Sequence, residues 1–227
     1  MYKIVSYVAL YLVGLCLLAC NDDKRQNTTT NTDTPTAATS SKKNILIFGN
    51  SLTAGYGLEN PNEAYPALLQ KRIDSLQLPY KVINAGLSGE TTAGGNGRID
   101  WVLKNPLDIF ILELGGNDGL RGIPTTETRK NLQAMIDKVK NKYPSATIIL
   151  AGMQVPPSMG KKYADDFRVI YPQLAKQNNV QLIPFLLEGV GGEAKYNQKD
   201  GIHPNAAGAK IVAENVWKVL GGVLTSS

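Results

Sequence analysis

Histidine and cysteine are almost missing from this sequence of 227 residues, which has one histidine, His203, and two cysteines, Cys16 and Cys20. A catalytic zinc draws mainly on histidine and cysteine, so this shortage leaves only carboxylates to hold one and argues against metal chemistry. A disulfide framework is excluded on the same count. Lysine and arginine alternate with acids and form no long basic run, so the formal charge of +5 is mild and nucleic-acid binding fits poorly. Phosphate-cradling signatures are missing too. There is no G-x-x-x-x-G-K-[ST], and the glycines between Gly86 and Gly97 follow the second predicted strand, not the first, without a well-placed G-x-G-x-x-G. What is present is an ordinary globular balance, 43% apolar and 19% charged, in a chain long enough for one domain.

Long apolar runs occur only at the N-terminus, where Lys3 precedes an almost unbroken stretch from Ile4 to Ala19. That is the layout of a secretory signal peptide, and it stops short of the ~20 apolar residues that span a bilayer. Leu17-Leu18-Ala19-Cys20 resembles a bacterial lipobox. The resemblance implies removal of residues 1–19 and a diacylated Cys20 as the first mature residue. More than one acyl chain would then make a stable membrane anchor. Cys16 would leave with the signal segment, so no thiol would remain in the domain. Residues 20–43, rich in Thr, Asn, Asp and Ser, cannot bury enough surface to order themselves and read as a tether. Such a chain spans roughly 25 Å root-mean-square. The expected location is the bacterial cell envelope, on the periplasmic face or, since Asn21-Asp22-Asp23 resembles some surface-export signals, on the outer surface.

From residue 44 to 227 a single domain is expected. Short apolar runs over Ile45–Gly49, Lys81–Asn84, Asp108–Leu114, Thr147–Gly152 and Gln181–Phe185 are too poor in polar residues for half-exposed strands. Between and after them lie helical periods over Ala64–Leu76, Thr92–Lys104, Thr125–Lys142, Tyr163–Asn178 and Pro204–Leu220. In the third, Leu132, Met135, Ile136, Val139 and Tyr143 fall on one stripe. This alternation predicts an α/β fold, three layers with a parallel sheet between helices, and functional loops beyond the carboxyl ends of the strands.

Ser51 follows the first predicted strand in Gly49-Asn50-Ser51-Leu52-Thr53. A serine there is well presented, although turn and cap serines are common at strand ends. His203 lies in Asp200-Gly201-Ile202-His203-Pro204-Asn205, with Pro204 suited to open a helix. A carboxylate three residues earlier can fold back to accept the ring Nδ1–H, which leaves Nε2 free as a base. If imidazole chemistry operates in this chain, His203 performs it. Acyl transfer also needs oxyanion donors. The Gly86–Thr91 segment offers backbone N–H groups and Gly115-Gly116-Asn117-Asp118 offers the Asn117 amide, though both read equally as ordinary Gly/Asn turns. Met153, Val155, Pro156, Pro157 and Met159 form either an apolar pocket wall or loop packing.

Gly49-Asn50-Ser51-Leu52, Asn84-Ala85-Gly86-Leu87-Ser88-Gly89, Glu113-Leu114-Gly115-Gly116-Asn117-Asp118-Gly119-Leu120-Arg121-Gly122 and Asp200-Gly201-Ile202-His203-Pro204 occur in this order. Together they resemble the SGNH, or GDSL-like, hydrolases, in particular the bacterial branch of acyl-CoA thioesterase I, lysophospholipases and arylesterases. The resemblance implies a flavodoxin-like sheet of five parallel strands and a Ser51–His203–Asp200 triad. It also implies oxyanion donors from Ser51 N–H, Gly89 N–H and Asn117, no cofactor, and a small acyl ester, thioester or lysolipid substrate. A carbohydrate O-acetyl esterase is the alternative within the same architecture, and a non-catalytic surface binding lipoprotein the alternative outside it. One position departs from the pattern: the family's usual Gly-Asp-Ser-Leu is here Gly-Asn-Ser-Leu, with Asn50 in place of a carboxylate.

Overall fold

Apolar β-branched runs supply the middle of the molecule. A computed structural model describes residues 42–225; the predicted signal segment, Cys20 and most of the tether lie outside the described residues. Five strands, β1 (Lys43–Gly49), β2 (Tyr80–Gly86), β3 (Ile109–Glu113), β4 (Thr147–Ala151) and β5 (Gln181–Ile183), form one sheet in the order β2-β1-β3-β4-β5. Every pairing is parallel, with Ile45 of β1 opposite Val82 on one side and Ile109 on the other.

The helices are α1 (Ser51–Ala54), α2 (Tyr65–Ser75), α3 (Thr92–Val102), α4 (Gly116–Leu120), α5 (Thr125–Lys142), α6 (Lys161–Arg168), α7 (Ile170–Asn178) and α8 (Ala206–Thr225). Helix α2 packs with α8, while α5 packs with α3, α6 and α7, giving the expected helical layers around the sheet. Leu132, Met135, Ile136 and Val139 of α5 are fully buried. Burial of each is worth about 1.5–3 kcal/mol. Tyr143, the fifth residue of that stripe, is only half-buried because its hydroxyl donates to the carbonyls of Leu103 and Asn105 at 2.7 and 3.0 Å.

Three expectations need correction. Burial on both faces holds for β1, β3 and β4 but not for β2 and β5, which are the edges of the sheet and leave Lys81, Asn84 and Gln181 exposed. The helix expected over Tyr163–Asn178 is two helices meeting at Val169. Pro172 explains the break: it has no N–H for the carbonyl of Arg168 and is tolerated only in the first turn of a new helix. Pro204 does not open the last helix. Asn205 caps it instead, its Oδ1 accepting from the N–H groups of Ala207 and Gly208 at 3.0 Å each, and Pro204 pairs with Asn197 in an isolated bridge. A short-range side-chain acceptor at the cap satisfies two of the helix's unpaired N–H groups, which a proline cannot do. No helix among the described residues is long and apolar enough to cross a membrane.

Candidate active site

The chain leaves β1 at Gly49 and turns at once into α1, with Asn50 as the cap and Ser51 as the first helical residue. A methyl group on Gly49 would collide with the side chains of Thr53 and Glu113, so only glycine fits this turn. Asn50 Oδ1 accepts from Leu52 N–H at 2.9 Å. The order of the sheet reverses between β1 and β3, so Ser51 sits where two neighbouring connections diverge and leave a crevice.

From the far end of the chain, the loop after β5 brings His203 to the same edge. Asp200 builds the loop: its Oδ1 accepts from Ile202 N–H at 2.9 Å and His203 N–H at 3.0 Å, and Gly201 takes the left-handed φ of +71° that the reversal requires. Asp200 Oδ2 lies 2.6 Å from His203 Nδ1, and His203 Nε2 lies 2.9 Å from Ser51 Oγ. Because a carboxylate only accepts, Nδ1 carries the proton and Nε2 presents its lone pair to the hydroxyl. The His203 backbone N–H, then the His203 ring, then Ile202 N–H hold the Asp200 carboxyl down to about pKa 2, so it is ionised at neutral pH. Asn50 Oδ1, at 3.4 Å, is the more distant second acceptor for the Ser51 hydroxyl.

Asn117 stands in the first turn of α4 and lines the same cavity as Ser51 and His203. Its Nδ2 donates to the carbonyl of Glu90 at 2.9 Å, which ties β3's loop to the turn after β2. In that turn Gly89 adopts φ +80°, its carbonyl accepts from Arg121 at 3.0 Å, and the Arg98–Glu90 ion pair at 2.6 Å braces the following residue. Gly89 is exposed and does not line the cavity wall itself.

The cavity holds about 590 Å³, within the usual range for small-molecule sites. Leu120, Met153, Val155, Pro156, Phe185 and Leu187 give it apolar walls. Of the five residues that could have been pocket or packing, Met153, Val155, Pro156 and Pro157 line it and Met159 does not.

Several contributors escape sequence reading. Tyr56 lies against the His203 ring with centroids 4.7 Å apart, and Gln198 Nε2 donates to the carbonyls of Tyr56 and Pro204 at 2.7 and 3.0 Å, joining the two ends of the site. Asp118, fully buried, accepts from the backbone and hydroxyl of Thr92 at the start of α3 and so fixes the helix that carries Asn117. Such contacts bridge positions far apart in the chain and leave no local pattern. Glu113 did leave one, as the single carboxylate in an otherwise apolar strand.

Residues 47–211 match the model of the GDSL-like Lipase/Acylhydrolase family. The chain belongs to that family. The acylhydrolase is 40% identical to Esterase TesA of Pseudomonas aeruginosa over 78% of its own length and 87% of that protein's. It is 38% identical to Thioesterase 1/protease 1/lysophospholipase L1 of Escherichia coli K12, over 78% and 82% of the two lengths. Among solved structures, that of TesA covers 79% of the acylhydrolase and 99% of its own chain at a TM-score of 0.76 and 39% identity. The shared architecture is the five-stranded parallel sheet flanked by helices.

Proposed function

We propose that this acylhydrolase cleaves carboxylic esters and thioesters through an acyl-enzyme on Ser51, with His203 as general base and Asp200 as its orienting partner. The observation that carries the reading is the unbroken line of hydrogen bonds from Asp200 through His203 to the Ser51 hydroxyl, opening onto an apolar cavity. His203 Nε2 takes the hydroxyl proton as Oγ attacks the substrate carbonyl. The oxyanion then forms against Ser51 N–H and the Asn117 amide, with Gly89 N–H, on the turn that Asn117 Nδ2 ties to α4, as the third donor at the cavity's margin. Ser51 N–H stands at the first position of α1, where a helix N–H has no intrahelical partner. Collapse expels an alcohol or thiol that takes its proton from His203, and the same imidazole activates water for deacylation.

Asn117→Ala is expected to lower kcat by about 10²–10³ with little change in KM, because the amide acts on charge that exists only in the transition state. Steady-state kinetics with one p-nitrophenyl ester checks this, and a change confined to KM would make Asn117 a binding residue instead.

The apolar walls favour an acyl chain longer than acetate. Each methylene that enters contributes about 0.8 kcal/mol, or roughly fourfold in kcat/KM, until the cavity is full. Kinetics across p-nitrophenyl esters from acetate to decanoate, with an acyl-CoA, a lysophospholipid and an acetylated sugar alongside, tests the substrate class. Highest activity on the sugar acetate, with no rise along the ester series, would reverse the reading in favour of an O-acetyl esterase.

A further inference from the structure

Glu113 ends β3 directly beneath the turn that carries Ser51, and the mechanism above gives it no task. It is fully buried, and its hydrogen-bond partners are all neutral donors. Oε2 accepts from Asn50 N–H at 3.1 Å and the Thr53 hydroxyl at 2.7 Å, while Oε1 accepts from Asn50 Nδ2 at 2.9 Å. Since the Thr53 proton points to Glu113, the Tyr65 hydroxyl, 2.7 Å away, donates to Thr53 in turn. Oε1 faces Asn50 Nδ2 and has no acceptor for a proton of its own, whereas a proton on Oε2 is received by Thr53 once the Thr53 and Tyr65 hydroxyls reverse.

This arrangement fixes the Asn50 amide. With Nδ2 held by Glu113, Oδ1 must face Leu52 N–H and the Ser51 hydroxyl. A proton on Oε1 would meet Nδ2 donor against donor. Relief then requires Asn50 to turn over, which places its NH₂ group against Leu52 N–H and removes the acceptor beside Ser51.

We infer that Glu113 is a positioning residue of the reaction: its two carboxylate oxygens, as acceptors, lock the Asn50 amide, and through Asn50 the nucleophile's turn. The inference rests on Ser51 being the nucleophile. The exchange of the family's usual aspartate for Asn50 matters here. Two carboxylates in contact would have to share a proton, whereas the asparagine amide supplies the hydrogen permanently and leaves Glu113 free to titrate. Burial, opposed by the hydrogen bonds from Thr53 and Asn50, pushes the Glu113 carboxyl up to about pKa 7. The titratable groups that feel its charge are the phenols of Tyr65 on α2 and Tyr171 on α7; burial raises both well above the ordinary range, with Glu113 adding to it and Asp118 of α4 also acting on Tyr171. Neither phenol ionises near neutrality.

The decisive comparison is kcat and KM from about pH 5 to 9 for the wild type, Glu113→Gln, and the double variant Asn50→Asp/Glu113→Gln, each with its melting temperature and fluorophosphonate labelling. Glu113→Gln carries an amide where Asn50 needs an acceptor, so kcat falls about 10- to 100-fold with KM little changed, the range for a buried polar group left unpaired. The double variant reverses the polarity of the same hydrogen bond, glutamine donating to aspartate, and recovers most of the lost kcat. If Glu113→Gln alone does not fold, the double variant decides: kcat near the wild-type value supports the inference, and a folded double variant with kcat lowered tenfold or more overturns it. So does full activity in Glu113→Gln, or a folded Glu113→Gln whose loss the reversed pair does not recover. Labelling separates this outcome from failure of the underlying reading, in which the fluorophosphonate adduct would map to a residue other than Ser51.

Discussion

Replacing Ser51 with alanine is expected to lower ester turnover by about 10⁶ and to abolish fluorophosphonate labelling, with the melting temperature almost unchanged. The magnitude follows from how the site is divided. Among the described residues the Ser51 hydroxyl is the one group hydrogen-bonded to His203 Nε2, so its removal ends the acyl-enzyme route entirely. What survives is the residual catalysis of an oxyanion pocket and a binding cavity acting on water. Stability should hold because the side chain contributes no fold-determining hydrogen bond: the cap of α1 is made by Asn50, and its closing bonds from Ala54, Gly55 and Tyr56 are backbone to backbone. Stopped assays sensitive to five or six decades of rate, with purification that excludes host esterases, are the measurement required. Turnover near the wild-type level would remove the assignment of Ser51, and the Glu113 inference with it.

Asp200→Asn should lower kcat by about 10⁴ while leaving the loop in place. Asparagine keeps an oxygen for the two backbone N–H groups of Ile202 and His203, which hold the turn at 2.9 and 3.0 Å. The atom facing His203 Nδ1, however, becomes an NH₂ donor. Nδ1 must then carry the lone pair and Nε2 the proton, which is the tautomer unable to accept from Ser51. The substitution also removes the charge that stabilises the imidazolium formed during attack. Fluorophosphonate labelling kinetics, which read nucleophile activation without turnover, should slow in parallel with kcat. A loss no larger than about tenfold would mean that Asp200 serves the loop fold alone and that the imidazole is oriented by its backbone anchor and by Tyr56.

Much of the fold was legible because its signals are local. The apolar runs of β1, β3 and β4 and the stripe of α5 record burial residue by residue, and alternation of strand and helix leaves few topologies open. The break at Val169 could have been read from Pro172, but the helical period runs straight through it. Edge strands were harder, since β2 and β5 contain the same β-branched residues as the centre and differ only in having one neighbour instead of two.

The site divided in a similar way. Ser51, Asp200 and His203 were candidates from residue type, strand-end position and the scarcity of histidine. By itself the sequence determined the parallel α/β architecture, the sheet edge on which chemistry would occur, and the identity of the one possible imidazole base. The tertiary structure decided how Ser51 and His203, 152 positions apart, come within 2.9 Å. It also decided that Gln198 and Tyr56 brace them, and that the carboxylate under Asn50 is Glu113, buried among neutral donors. Periodicity and spacing report on neighbours along the chain, whereas a hydrogen bond between distant segments depends on where the whole packed core places them.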